Sequence, residues 1–87
     1  MSNTNDLESA HQASFGNKET VKESKFCGCF YCLKIFPSSE VTEWIPERRG
    51  LYTASCPYCY IDSVIPDASG FPIEVEFLRL MKKKYFS

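Results

Sequence analysis

The sequence predicts a small α+β domain of the zinc-ribbon kind. Short antiparallel strands would stand on two cysteine turns, with a helical N-terminal arm and a C-terminal helix. Three observations predict it. Two Cys-x-x-Cys units are separated by 23 residues, the segment between them has strand character, and the last stretch has helical periodicity. At 87 residues the chain has room for one domain. A domain this short usually needs a metal, a disulfide or a partner to be stable. Hydrophobic residues at 44% and aromatics at 15% give it a globular rather than a disordered composition.

Residues 1–24 form the expected polar arm, in which the first several residues are expected to be loose. Asp6 is placed to cap a short helix through His11, and Asn17 to cap a second running to Ser24. The Asn17 carboxamide would accept from the first free helix amides, with Gly16 and Asn17 breaking the two helices apart. Residues 25–87 form the expected ribbon domain. Residues 41–45 and 51–55 have the β-branched and aromatic bias of strands, with 46–50 as the turn between them. Residues 60–65 read as a third strand, with Ile61, Ser63 and Ile65 on one face. Pro72 suits the first position of the final helix, and Ile73, Phe77, Leu80 or Met81, and Tyr85 recur at helical spacing. Lys82, Lys83 and Lys84 fall in its last turn, where positive charge favours the free carbonyls.

The chemistry lies in Cys29-Phe-Tyr-Cys32 and Cys56-Pro-Tyr-Cys59. A CxxC turn points both sulfurs at one place, and two such turns complete a tetrahedral four-sulfur shell. Thiolate softness selects zinc over magnesium or calcium. One structural Zn2+ held by Cys29, Cys32, Cys56 and Cys59 is therefore expected. Iron in a rubredoxin-like site would use the same ligands. The same spacing is also open to a redox pair, or to cysteines that are simply buried as apolar side chains. The fifth cysteine, Cys27, is an alternate ligand through a C-x4-C register, a reactive thiol, or a small apolar neighbour of the site. His11, the one histidine, is an alternate ligand or a surface side chain.

Four protein ligands leave no open position for water or substrate, so the expected site stabilises rather than catalyses. A lone histidine argues against a His-Asn-His nuclease. Zinc deaminases need an HxE element, and this chain has none. A net charge of −1 gives no global field that would draw nucleic acid or an anionic membrane. The longest mostly apolar stretch, 26–36, is too short to span a bilayer. The polar first ten residues lack the pattern of a secretory signal. A cytoplasmic protein is expected, where reduced thiols bind metal rather than pair.

Cys27-Gly-Cys-Phe-Tyr-Cys32, followed by Trp44, Cys56-Pro-Tyr-Cys59, Ile61-Asp-Ser-Val64 and Gly70-Phe-Pro-Ile73, resembles a family of small bacterial zinc-ribbon proteins known only as cytoplasmic proteins. The resemblance runs from about Ala10 to Phe86 and implies fold, metal and compartment, but no activity. In that pattern a glycine usually follows the second CxxC. Here Tyr60 stands in its place.

The expected function is that of a non-enzymatic module that binds another protein, as an adaptor, a regulator or a toxin-neutralising partner. Tyr31, Tyr58 and Tyr60 are the candidate contacts. The alternative is a nucleic-acid-binding ribbon, in which aromatics beside Arg48, Arg49 and Lys34 stack on unpaired bases.

Overall fold

A computed structural model describes residues 3–86. In chain order its elements are α1 (Asn3–Gln12), α2 (Lys18–Glu23), β1 (Phe26–Cys29), β2 (Ile35–Pro37), β3 (Trp44–Pro46), β4 (Tyr52–Ala54), β5 (Val64–Pro66) and α3 (Val75–Phe86). The strands form two antiparallel sheets, β2-β1-β5 and β3-β4. The α+β class and the C-terminal helix are therefore as expected.

The central strand, β1, lies where the sequence suggested only a cysteine turn. Its Gly28 pairs with Ile35 on one side and Ile65 on the other. Because side chains alternate along a strand, Cys27 and Cys29 face one cluster while position 28 faces another. The first cluster joins Val21 of α2, Cys27, Cys29, Phe36, Val41, Ala54, Cys56 and Val64. The second joins Ala10 of α1, Phe30, Ile65, and Leu78 and Met81 of α3. The segment expected to be an arm thus supplies a buried side chain to each cluster.

Glycine at position 28 lets α3 lie against the sheet. A Cβ there would stand 2.9 Å from Leu78 Cδ1 and 3.0 Å from Ile73 Cγ2. A helix of 12 residues is marginal alone in water. Burying Leu78 and Met81 completely contributes about 1.5–3 kcal/mol each.

Four expectations need correction. Helix α3 begins at Val75 rather than Pro72, because residues 71–74 stay open so that Ile73 can reach over Gly28. On that helix Met81 is in the core, as one of the two expected alternatives, but Leu78, absent from the expected face, is fully buried beside it. The third strand covers only Val64–Pro66, because Tyr60 and Ile61 belong to the second cysteine turn. Helix α1 starts at Asn3, so Asp6 lies inside it and not at its cap. The looseness expected at Met1 and Ser2 lies outside the described residues.

Asn17 also differs from expectation. It does precede α2, but its side chain makes no cap hydrogen bond. The carboxamide is buried instead and ties three segments together. Its Nδ2 donates to Ala13 O and Val64 O, and its Oδ1 accepts from the Ala54 amide, each at 3.0 Å. A buried carboxamide with its donors and acceptor engaged locks α2 to the edges of both sheets.

Candidate metal centre

The strand pairing brings the two CxxC units together. β1 ends at Cys29, and the chain turns through Cys32 into β2. The second turn lies between β4 and β5, and pairing of Cys29 with Val64 draws its exit alongside the first.

The four sulfurs of Cys29, Cys32, Cys56 and Cys59 lie within 4.8 Å of one another. Across the turns, Cys29 Sγ is 3.6 Å from Cys59 Sγ, and Cys32 Sγ is 3.7 Å from Cys56 Sγ. A tetrahedral ion with sulfur bonds of about 2.3 Å would set its ligands about 3.8 Å apart. The cluster therefore has the donors and the spacing to hold a metal ion.

The two turns repeat one backbone design. In the first, Tyr31 N donates to Cys29 Sγ at 3.4 Å, and in the second Tyr58 N donates to Cys56 Sγ at 3.4 Å. Leu33 N donates to Cys29 O, and Tyr60 N to Cys56 O, both at 2.9 Å. Cys29 N donates to Lys34 O, and Cys56 N to Ile61 O, both at 3.0 Å. The residue after each unit has left-handed backbone, with φ 68° at Leu33 and 66° at Tyr60. The turn thus demands at position 60 the conformation that glycine adopts freely.

Electrostatics distinguish the sulfurs. Burial opposes ionisation of Cys29, but the Ser63 hydroxyl and the amides of Cys32 and Tyr31 outweigh it and lower its pKa. Burial pushes Cys32 and Cys59 up, and a charged Cys29 beside each adds to the rise. Without a cation the cluster therefore accommodates one thiolate more readily than several. Ser63, buried with its Oγ 3.0 Å from Cys29 Sγ, has no signature in the sequence that would mark it as part of the site.

The side chains of the other candidate residues are not among the converging donors. Cys27 is fully buried in the first core cluster, and burial, aided by Asp67, pushes its thiol up to about 12. It is a small apolar neighbour and is not one of the four converging thiols. His11 stacks on the Tyr85 ring at 4.0 Å and is not grouped with the four sulfurs. Tyr31 packs edge-on against Phe86 and lies under the Lys82 ammonium. Tyr58 donates from its hydroxyl to Glu40 at 2.6 Å, with Lys34 over its ring. Tyr60 is 69% exposed. Arg48 and Arg49 are exposed in the turn joining β3 to β4. The structure thus gathers the four cysteines and scatters the partner candidates around them.

No protein-family model matches the chain, and no curated protein or solved structure is significantly similar to it. Among the described residues, no helix is long and apolar enough to cross a membrane.

Proposed function

We propose that this chain is a non-enzymatic zinc-binding module of the zinc-ribbon kind, cytoplasmic, that works by binding another protein. The observation that carries the reading is the convergence of four cysteine sulfurs within 4.8 Å. Amides and the Ser63 hydroxyl point at these sulfurs, and four thiolates favour zinc among the abundant divalent ions. A shell closed by four protein ligands has no position for a substrate, so the metal's role is structural.

Support for a protein partner comes from Tyr60. Its ring is the most exposed large apolar side chain of the described residues, on backbone that only glycine adopts without strain. Backbone strain is retained where the side chain has work to do, and exposed tyrosines are favoured at protein interfaces. Tyr31 and Tyr58 occupy matching positions in the two turns.

A nucleic-acid-binding ribbon is the second reading. Exposed Arg48 and Arg49 favour it, and Glu40, Glu43 and Glu47 close by in the chain oppose it by repelling phosphate.

The test is a pull-down of the folded, metal-analysed protein from its own cell lysate, with and without nuclease. One zinc per chain and a nuclease-resistant protein partner support the proposal. Oligonucleotide binding that falls steeply with salt, and is lost in an Arg48→Ala/Arg49→Ala variant, overturns the partner class and leaves the metal reading standing.

A further inference from the structure

Beside the sulfur cluster lies a cleft of about 530 Å3, within the range of small-ligand sites. Its rings come from separate parts of the chain: His11 on α1, Phe15 just after it, Phe30 in the first cysteine turn, and Tyr85 and Phe86 at the end of α3. His11 stacks on Tyr85 at 4.0 Å, and Phe30 is 6.1 Å from Tyr85 and 5.6 Å from Phe86. The two lining serine hydroxyls are already engaged. Ser14 Oγ donates to His11 O at 2.6 Å, and Ser63 Oγ meets Cys29 Sγ at 3.0 Å. Asp62 adds an exposed carboxylate to the aromatic wall.

Aromatic faces on this protein already take cations. Lys84 Nζ is 5.5 Å from the Tyr85 ring centre, Lys82 Nζ 5.2 Å from Tyr31 and Lys34 Nζ 5.4 Å from Tyr58. The cleft adds to such faces a carboxylate acceptor. We propose that it binds a guanidinium group, flat against the exposed rings of Phe15 and Phe86 and hydrogen-bonded to Asp62. A planar cation is attracted by the ring faces, and its fork of donors matches a carboxylate. An ammonium keeps the ring attraction and an ion pair but lacks the planar fork. A neutral urea isostere keeps donors but loses the charge that strengthens both interactions. Lys84 repels a second cation at Tyr85, so a single group binds weakly.

The guanidinium belongs either to an arginine side chain of a protein partner or to a free small guanidine. The first source deepens the protein-binding reading and rests on it. Ser63 joins the cleft to Cys29, and the Phe30 amide donates to Ser63 O at 3.0 Å. The floor of the cleft is therefore built on the first cysteine turn.

The test is an amide NMR titration of the purified protein, with metal content measured on the same sample. The probes are N-acetyl-arginine amide, its neutral citrulline counterpart, N-acetyl-lysine amide, and the peptide Gly-Gly-Arg-Gly-Gly. The arginine probe is expected to shift the amides of His11, Asp62, Ser63 and Phe86, and the citrulline probe to bind roughly tenfold more weakly. Asp62→Asn, at an exposed position, is expected to keep the rest of the spectrum and to narrow that preference severalfold. Phe86→Ala is expected to weaken all three cationic probes. Tighter binding of the peptide identifies a chain-borne arginine, and equal binding a free guanidine. Citrulline binding as well as arginine, an unaltered response in Asp62→Asn, or shifts scattered away from the cleft would overturn the proposal. The metal content separates that failure from failure of the zinc reading.

Discussion

The Ser63 hydroxyl lies 3.0 Å from Cys29 Sγ, and both side chains are buried. It stabilises negative charge on that sulfur from outside the two CxxC turns, as partners behind a metal ligand commonly do. Ser63→Ala is expected to weaken metal affinity about tenfold and to leave the fold of the loaded protein intact. Competition against a chromophoric chelator measures it. Unchanged affinity would mean that the turn amides alone set the charge on Cys29.

Removal of the metal is expected to unfold the domain under reducing conditions. Small metal domains draw apparent binding energies of about 10–16 kcal/mol from such sites, comparable to a whole domain's stability. Cys59→Ser should lose metal and dispersed NMR signals together. Cys27→Ser should keep both, because Cys27 lies outside the cluster. A sharp, dispersed spectrum from metal-free protein would sink the structural role of the site.

Tyr60→Gly is expected to stabilise the loaded protein. Left-handed backbone costs a non-glycine residue about 1–2 kcal/mol, part of which the greater freedom of glycine in the unfolded chain offsets. With the ring 69% exposed, little packing is lost. Chemical denaturation at saturating metal should show a gain of about 0.5–1 kcal/mol. The same variant should bind the protein partner less well, and a loss of stability would place the Tyr60 ring in the fold's own packing.

Asn17→Ala is expected to cost about 3 kcal/mol, because it leaves the Ala54 amide and the Val64 carbonyl without their buried partner. Denaturant titration of metal-saturated protein reads this directly. A cost below about 1 kcal/mol would show that water enters and replaces the carboxamide.

The site was more legible in the sequence than the fold around it. CxxC spacing is a local constraint, so the four converging cysteines could be picked out. The sequence left Cys27 open between ligand, reactive thiol and apolar neighbour, and only its burial in the core decides. The β3-β4 hairpin was legible from the strand bias on either side of residues 46–50. β1 was not, because Phe26–Cys29 is read first as part of a cysteine turn, and its pairing with β5 links residues far apart in the chain. Asn17 has the sequence of a helix cap, but its long-range partners Val64 and Ala54 outcompete the local amides. Ser63 and the aromatic cleft depend wholly on tertiary placement.

The contact between Gly28 and α3 constrains how sequences of this fold can vary. A methyl at position 28 would stand 2.9 Å from Leu78 Cδ1, and Leu78 is fully buried, so neither side can give way alone. The two positions should therefore drift as a pair. Chains that keep leucine at 78 should keep glycine at 28, and alanine at 28 should appear only beside a smaller residue at 78 or at 73. Gly28→Ala introduced singly should cost about 1–3 kcal/mol, and Leu78→Val beside it should recover part of that loss. The pairing makes position 28, with no side chain of its own, a marker by which distant members of this fold could be recognised.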